Sequence, residues 1–400
     1  MIRALREGTW LTPARLRAYG LGYLLVVLAA VAATVPLILG WREAPPADLD
    51  YLSFHAAATM ADAGRAAEVW DRDAHAAAQS ALQGQPGRYF SFFYPPLFLL
   101  VLMPLGLLPL LLGLGVWLAA TGGAMWVALR PWGVFRRPIA AACVMLAPAA
   151  VLNALHGQNG FLATALLAGA GLWLDRHPAR AGAMFAMLAF KPQLGLLVLP
   201  VLLAGRRWAA LGWAAGLGLA SVALATLVLG PGIWPAFLAR MPDAGAALSD
   251  GALAVWKLQS VMAMALTLGL PRGAAMGAQA IVAAAVLAAA IVAARRHLGG
   301  RAELAVIAAG APLATPFVLV YDLVVLLVPM VWLLGEARRS GFLPWEKSGI
   351  ALAWILPLLA FLASIGAEVS IGPLASIVTL GLVLRRIAAA PSARDQRPVA

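Results

Sequence analysis

Residues Leu110–Leu129 read LLLGLGVWLAATGGAMWVAL, twenty residues without a single charge. A helix of this length rises about 30 Å, which is the thickness of the hydrocarbon layer of a bilayer. Lipid offers no hydrogen-bond partner to backbone N–H and C=O groups, so a single segment that crosses it must satisfy them internally as a helix. Comparable apolar runs recur at Tyr19–Leu39, Ala209–Gly230 and Gly273–Ala294. The sequence therefore predicts an all-α, polytopic transmembrane protein.

The composition of the whole chain supports this class. Of its 400 residues, 63% are hydrophobic and only 12% are charged, and the mean hydropathy is +0.88. A soluble domain carries about a quarter charged residues, so a soluble particle of this size would lack polar surface. The first apolar run is too long for a signal peptide and has no clear cleavage site before Trp41. We interpret it as an uncleaved anchor.

The net charge of +12 does not indicate a nucleic-acid partner. Arginines and lysines occur in short clusters between apolar runs, whereas a nucleic-acid-binding protein collects them on one solvated face. Such clusters mark cytoplasmic helix ends, which predicts that both termini lie inside. The clusters are Arg3/Arg6/Arg15/Arg17, Arg130/Arg136/Arg137, Arg176/Arg180, Arg206/Arg207, Arg295/Arg296/Arg301, Arg338/Arg339/Lys347 and Arg385/Arg386.

Between successive clusters the chain must leave and return, which predicts about twelve crossings. Two of them, Ala181–Phe190 and Leu304–Leu313, are too short to span alone and should break or re-enter. Residues 94–129 are expected to make one net crossing, bent at Pro104 and Pro109. The segments expected outside are 42–93, 153–160, the tip near 191, 231–272, the tip near 315–322, and 366–372.

We expect a single membrane domain over residues 1–390, with large outer loops at 42–93 and 231–272. Residues 391–400 are expected to form a disordered cytoplasmic tail. Within the first loop, Asp50–Leu82 is rich in alanine, with charges at helical spacing. This pattern predicts one or two amphipathic helices along the membrane interface.

Polar residues in apolar surroundings are costly in a membrane and are the best candidates for function. Nearly all of them fall on the predicted outer side, which indicates one buried polar site on that face. They are Asp48, Asp50, His55, Asn153, His156, Gln158, Asn159, Lys191, Gln193, Lys257, Gln259, Tyr321 and Asp322.

Asp50 stands at the start of the first outer loop, near the membrane edge. A carboxylate there could take a proton from a hydroxyl as a general base. Alternatively, Asp48 or Asp50 caps the following helix by accepting amide hydrogens. The two roles do not exclude each other.

Lys191 is flanked by apolar helix on both sides and is followed by Pro192. Proline removes an amide and biases the preceding residue away from helical geometry, so we expect a broken helix that presents the lysine. A cation at that depth needs an anion. A lipid phosphate and Asp322 are the two candidates.

The remaining polar motifs have ordinary interpretations as well as functional ones. His156–Gly160 could be a solvated turn, as could the segments around Trp256–Ser260 and Tyr321-Asp322. Tyr94-Pro95-Pro96 is typical of a stiff start to a helix with tyrosine at the interface. No Cys/His pair with metal spacing, phosphate-binding loop or Gly-x-Ser-x-Gly elbow occurs in the sequence. No cofactor is predicted.

Six motifs in this order resemble glycosyltransferase family 87, once called DUF2029, over roughly residues 45–335. They are Asp50-Tyr51-x-x-Phe54-x-Ala56-Ala57, Phe93-Tyr94-Pro95-Pro96, Gly157-Gln158-Asn159-Gly160, Lys191-Pro192-Gln193, Trp256-x-x-Gln259-Ser260 and Thr315-Pro316 through Tyr321-Asp322-Leu323. The family includes actinobacterial α-mannosyltransferases that elaborate phosphatidylinositol mannosides. Some members carry histidines beside the aspartate matched by Asp322, where this chain has Leu323.

The resemblance implies a GT-C fold and metal-independent, inverting transfer from a polyprenyl-phosphate sugar, typically mannose. It implies that Asp50 is the catalytic aspartate and that a lipid- or glycan-linked hydroxyl is the acceptor. Lys191 and Lys257 are expected to bind the donor phosphate. The residues expected to bind substrate are His55, Tyr94, His156, Gln158, Asn159, Gln193, Gln259, Tyr321 and Asp322.

Together with the charge pattern, the resemblance implies a hexosyltransferase of the bacterial inner (plasma) membrane that acts on the periplasmic face, with membrane lipids but no nucleic acid as partners. A transporter or flippase of an amphipathic solute is the main alternative, because broken helices with buried ions are also typical of transporters. The polar residues gather on one side only, which favours the enzyme. A non-catalytic partner in an envelope complex is the third possibility.

Overall fold

The structure is a computed structural model that describes residues 1–38, 49–84, 88–133, 135, 138–249 and 254–389. These parts of the chain are helical, joined by turns and by one isolated bridge between Leu258 and Leu319. Several predictions fall on residues outside these ranges. They concern Asp48, Arg136 and Arg137, residues 42–47 and 250–253 of the outer loops, and the tail predicted over 391–400.

The helices, in chain order, are α1 Ile2–Glu7, α2 Pro13–Ile38, α3 Tyr51–Asp62, α4 Arg72–Gln83, α5 Pro96–Gly106, α6 Leu110–Leu129, α7 Pro138–Met145, α8 Pro148–His156, α9 Gly160–Trp173, α10 Pro178–Leu188, α11 Val198–Ala204, α12 Trp208–Leu229, α13 Ile233–Ser249, α14 Val261–Thr267, α15 Arg272–Arg295, α16 Gly300–Ala314, α17 Leu327–Ser340, α18 Glu346–Ala367 and α19 Pro373–Ala389. Short 3-10 helices occupy Ala66–Glu68, Arg130–Trp132, Pro192–Leu194, Val255–Lys257 and Val320–Leu326.

Six helical stretches in the described residues are long and apolar enough to cross a membrane. A seventh is possible if α7 and α8, which are bent by 48° at a short break, count as one span. The count of about twelve crossings is larger and stays a prediction, since the rest would need shorter apolar helices such as α5 and α9. The six stretches are Pro13–Ala33, Leu110–Trp132, Trp208–Leu229, Arg272–Arg295, Val320–Ser340 and Glu346–Ala367.

The interior of the protein is built around α9, α16 and the stretch Val320–Ser340. The 18-residue apolar segment within that stretch is 83% buried, and α16 is buried along almost its whole length. In contrast, the corresponding 18-residue segments of α2 and α12 are each only 6% buried, which is typical of helices whose side chains face lipid. Most side chains of the central elements are therefore shielded from water.

The two segments predicted to be short crossings do end in breaks. Helix α10 stops at Leu188, and Lys191 adopts a non-helical backbone before the 3-10 helix Pro192–Leu194. Helix α16 likewise ends at Ala314, after which the chain is extended through Leu319. The break predicted at Pro192 is confirmed. Lys191 therefore lies just after the end of an α-helix, and Tyr321 and Asp322 lie in a 3-10 helix.

The prediction of one net crossing over 94–129 stays a prediction, and the structure shows where the segment is interrupted. The structure has two helices there, α5 and α6, separated at residues 107–109. Pro104 lies inside α5 without ending it, while Pro109 is the N-cap of α6. A proline at a helix start costs little because the amide it lacks would have no helical partner.

The first outer loop contains two helices, as predicted, but α3 is buried in the protein and is not amphipathic. Ten of its twelve residues are buried, because its apolar and small side chains pack against α5 and α6. Only α4 is amphipathic in the expected way, with His75 and Gln79 as its buried residues. The loop is therefore part of the protein body at the point where Asp50 begins α3.

His75 and Gln79 of α4 hold the loop together through buried hydrogen bonds. His75 Nε2 lies 3.1 Å from the Ser53 carbonyl oxygen, and Gln79 Nε2 lies 3.3 Å from His75 Nδ1. Gln79 also exchanges two hydrogen bonds with the backbone of Phe90, at 2.7 and 3.0 Å. This arrangement uses one ring nitrogen of His75 as a donor and the other as an acceptor, so it requires the neutral ring.

We predict that this loop loses stability in mild acid. Burial lowers the pKa of His75 from 6.5 to about 4. The unfolded chain therefore binds the proton more readily, so the stability is complete above about pH 6.5 and is lost progressively as the pH falls towards 4. The difference corresponds to about 3 kcal/mol. Hydrogen exchange of residues 51–84 between pH 7 and 5 measures it.

The variant His75→Gln keeps a donor for Ser53 but cannot titrate, so its exchange should depend less on pH than that of the native protein. His177 is exposed, and His177→Gln is the matched control that should retain the native dependence. If the native loop and His75→Gln respond equally to acid, the buried neutral histidine is not the cause.

Helix α10, which leads to Lys191, packs on α12 through Gly182. A β-carbon at Gly182 would lie 2.5 Å from Trp213 Cβ and 2.9 Å from the Ala210 carbonyl oxygen. We expect Gly182→Ala to force the helices apart and to destabilise the protein by about 1–3 kcal/mol. Gly212 on α12 faces open space, so Gly212→Ala should be neutral or slightly stabilising. Equal thermal unfolding midpoints of the two variants in detergent would contradict this packing.

Candidate active site

Asp50 occupies the N-cap position of α3, yet its side chain makes no capping hydrogen bond. Instead, Asp50 Oδ2 accepts a hydrogen bond from Gln158 Nε2 at 2.9 Å. The side chain of Tyr321 lies close to the same carboxylate. Of the two roles considered for Asp50, the capping bond is therefore not formed, and the carboxylate faces polar side chains from other parts of the chain.

The turn between α8 and α9 brings Gln158 to Asp50. Gly157 ends α8 with a φ of 66°, a left-handed conformation that favours glycine. A β-carbon there would also lie 2.6 Å from Tyr51 Cβ, so glycine is what allows α3 to approach the turn. Gln158 Oε1 accepts hydrogen bonds from the Tyr94 hydroxyl at 3.4 Å and from the backbone N–H of Asn159 at 3.3 Å. These bonds fix the orientation of the Gln158 side-chain amide.

Lys191 is 2% exposed and forms a buried ion pair with Asp322, at 2.5 Å between Nζ and Oδ1. Its ammonium also donates to Asn159 Oδ1 at 2.8 Å and lies 5.7 Å from the centre of the Tyr321 ring. The second oxygen of Asp322 accepts the backbone amide of Leu319 at 3.1 Å. Of the two anions considered for Lys191, the structure supplies Asp322, which also fixes the start of the 3-10 helix Val320–Leu326.

The structure thus brings seven of the predicted residues together, in a group that we call the polar cluster. Tyr94 connects its two halves, because its hydroxyl contacts Gln158 and lies near Asn159, Asp322 and Asp50. These residues are distant in sequence and are held by the tips of separate helices. The polar cluster consists of Asp50, Tyr94, Gln158, Asn159, Lys191, Tyr321 and Asp322.

Two amide donors beside the polar cluster remain without a hydrogen-bond partner among the described residues. They are Nδ2 of Asn159 and Nδ2 of Asn153, both fully buried. The oxygen of Asn153 accepts the Gly160 amide at 2.8 Å, at the start of α9. Buried donors are rarely left unused, so these two atoms are suited to bind ligand oxygens. Asn153 was among the polar residues of the predicted outer side but was not assigned to the site.

Tight packing at Gly160 keeps this side of the cluster narrow. A β-carbon at Gly160 would lie 2.5 Å from Val324 Cγ1 and 2.9 Å from the Tyr321 carbonyl oxygen. Helix α9 therefore begins in direct contact with the segment that carries Tyr321 and Asp322. This contact brings Asn159 to the ion pair.

The other predicted residues have different surroundings. His156 touches the edge of the cluster, with its ring 5.6 Å from that of Tyr321, and its Nδ1 pairs with the Leu152 carbonyl at 2.8 Å. Gln193 is half-buried in the 3-10 helix after Lys191. His55 is buried one turn along α3 against Tyr51, at 5.8 Å between rings, and its Nδ1 has no hydrogen-bond partner in the described structure.

Gln259 is in a structural position. Its side chain donates to Ser364 Oγ at 2.8 Å and accepts the Gly372 amide at 2.8 Å, while its backbone amide donates to the Val318 carbonyl at 2.6 Å. These bonds hold the extended segment that precedes Asp322. Lys257, nearby on the same loop, lies 5.5 Å from the centre of the Trp256 ring.

We predict that the ion pair is costly to break and much less costly to replace. Lys191→Met or Asp322→Leu alone leaves an unpaired buried charge, which should lower stability by about 3–5 kcal/mol. The double variant Lys191→Met/Asp322→Leu removes both charges and should recover most of that loss. Thermal unfolding in detergent measures the cycle. Additive losses in the double variant would show that the two charges do not stabilise each other.

The family model of glycosyltransferase family 87 matches residues 92–320 of this chain. Searches of the curated proteins and of the solved structures find no match. Four members of the polar cluster lie inside the matched region, namely Tyr94, Gln158, Asn159 and Lys191, while Asp50 precedes it and Tyr321 and Asp322 directly follow it. The match covers more than half of a chain that has several membrane-spanning helices. The chain therefore belongs to glycosyltransferase family 87 and is a membrane glycosyltransferase, as its six motifs predicted.

Proposed function

We propose that this protein transfers a hexose, with mannose as the first choice, from a polyprenyl-phosphate sugar to a hydroxyl of a lipid- or glycan-linked acceptor. The reaction takes place at the polar cluster. The observation that carries the proposal is the convergence of Asp50 with a buried set of amide, hydroxyl and ammonium groups. A sugar offers many hydroxyls, and a phosphate offers several oxygens, to such a set.

Asp50 is the proposed general base. The acceptor oxygen attacks the anomeric carbon, the bond from that carbon to the phosphate oxygen breaks, and Asp50 takes the acceptor proton. The products are the new glycoside and polyprenyl phosphate. The hydrogen bond from Gln158 holds one carboxylate oxygen of Asp50 in place at 2.9 Å, which supports its role by fixing the direction of the base.

Inversion at the anomeric carbon follows from a single displacement of this kind. Retention through a covalent intermediate would need a second, free carboxylate as the nucleophile. Within the polar cluster, the remaining carboxylate is that of Asp322, whose two oxygens are engaged by Lys191 and by the Leu319 amide. The leaving group is a phosphate that is already anionic, so we propose that no metal is required.

The proposed role of Lys191 changes with the ion pair. Asp322 balances its charge, so Lys191 alone does not neutralise a donor phosphate. Two of the three ammonium hydrogens have acceptors, at Asp322 and Asn159. We propose that the third, with the unused amide hydrogens of Asn159 and Asn153, stabilises the oxygens of the leaving phosphate. Lys257 is the proposed second cation, on a loop joined to the Asp322 segment through Leu258 and Leu319.

The fold proposed for this reaction is of the GT-C type, with about twelve crossings and the polar cluster on the periplasmic side. The support is the separation of charge along the chain. Arginine clusters lie at the ends of α9, α10 and the stretch Val320–Ser340 that are opposite the polar cluster, and such clusters stay in the cytoplasm. For example, α9 begins at Gly160, beside Asn159, and ends shortly before Arg176.

We predict that Asp50→Asn lowers turnover by at least about a hundredfold, because a general base contributes roughly that much or more. Folding should be unaffected, since Asp50 makes no capping bond. Asp73 is an exposed acid of the same loop, and Asp73→Asn is the matched control that should keep native activity. The assay uses purified protein, a polyprenyl-phosphate sugar and membrane glycolipid acceptors, with product measured by mass spectrometry. Near-native turnover by Asp50→Asn would refute the assignment of the base.

A further inference from the structure

A second polar region lies at the arginine-rich end of the helices, away from the polar cluster. It is a cavity of about 390 Å³ between the end of α9, the start of α16 and the end of α17. Gly171 of α9 lines it, which is about 16 Å along the helix from Gly160 at the polar cluster. The two regions share no lining residue, so the cavity is not an extension of the candidate active site.

Three arginines and two carboxylates line the cavity, but the carboxylates are already engaged. Asp175 pairs with Arg207 at 2.8 Å and accepts the Gly300 amide at 2.8 Å. Glu336 pairs with Arg339 at 2.8 Å. None of these three interactions involves the other two arginines of the cavity, which are Arg176 and Arg301.

Arg301 is the unusual group among them. It is half-buried, and within the described part of the chain it has no carboxylate at ion-pair distance. Its neighbour Arg339 repels it, while the attraction of Glu336 is shared with Arg339. A partly desolvated guanidinium with a like charge beside it is unfavourable unless an anion binds there.

Trp132 lies against Arg301, behind the cavity. Its side chain is 4% exposed, and its indole N–H is buried without a hydrogen-bond partner among the described residues. The guanidinium carbon of Arg301 lies 5.8 Å from the centre of its ring, and Gly171 packs against the edge of the ring. The indole therefore lies behind Arg301 and Gly171, which do line the cavity.

We propose that this cavity binds a phosphate group, with Arg301 as its main ligand. A guanidinium presents a planar pair of N–H groups that matches two phosphate oxygens. Leu298 and Trp332 form an apolar side of the same cavity, which suits the glycerol and first carbons of an anionic phospholipid. The source of the phosphate is a lipid headgroup or a soluble phosphate, and the experiment separates the two.

The test measures the thermal unfolding midpoint of the purified protein in detergent with added phosphatidylglycerol, phosphatidylcholine or inorganic phosphate. A ligand that binds only the folded protein raises the midpoint. We expect phosphatidylglycerol to raise it and phosphatidylcholine not to do so. A similar rise with inorganic phosphate identifies a soluble phosphate as sufficient, and its absence identifies the lipid headgroup.

Arg301→Gln should weaken the binding of the active additive by about tenfold or more, because a charge-assisted bidentate contact is lost. Arg296 is exposed on the same face but does not line the cavity, so Arg296→Gln should keep the native response. Each comparison is a shift within one variant, which separates ligand binding from any change in basal stability.

Three outcomes would overturn the proposal. Neither phosphatidylglycerol nor inorganic phosphate stabilises the native protein, or phosphatidylcholine stabilises it equally well, or Arg301→Gln responds like Arg296→Gln. If Arg301→Gln does not fold, Arg301→Lys replaces it. That variant retains the charge but not the planar pair of donors, so it should bind more weakly than the native protein, and an undiminished response would contradict the assigned geometry.

Discussion

The buried ion pair between Lys191 and Asp322 is the constraint on which the site depends. Each charge alone would be very unfavourable in the interior of a membrane protein, so the two segments that carry them must meet. One segment follows the break after α10, and the other follows the extended stretch after α16. Asn159 joins the pair through its side-chain oxygen at 2.8 Å, which adds the start of α9 to the same point.

Close backbone contacts connect this pair to the first outer loop. Gly160 lets α9 meet the segment of Tyr321, and Gly157 lets the preceding turn meet α3. Gln158, between these two glycines, then reaches Asp50. The polar turn thus has one side chain directed to the ion pair and its neighbour directed to the carboxylate, which explains how a loop residue becomes part of a buried site.

Much of this arrangement could be predicted from the sequence, because polar residues are rare in membrane helices and each one needs a reason. Asp50, Gln158 and Asn159 were identified in this way, Tyr94 was identified through the family motif that contains it, and the four do converge. The partner of Lys191 could not be chosen, because a carboxylate and a lipid phosphate satisfy the same charge. The hydrogen bonds of Gln259 to Ser364 and Gly372 could not be predicted either, because they join residues more than a hundred positions apart in the sequence. The burial of α3 was missed because its alanines suit an interface and an interior equally well.

The most direct measurement is an experimental structure of the protein with a polyprenyl-phosphate sugar bound. The proposed function predicts that the phosphate oxygens lie within hydrogen-bonding distance of the Asn159 side-chain amide and the Lys191 ammonium. It also predicts that the anomeric carbon lies next to Asp50, with room for an acceptor hydroxyl between them. A donor whose phosphate is held elsewhere, with its sugar more than one sugar's width from Asp50, would contradict the central claim that the polar cluster is the site of transfer.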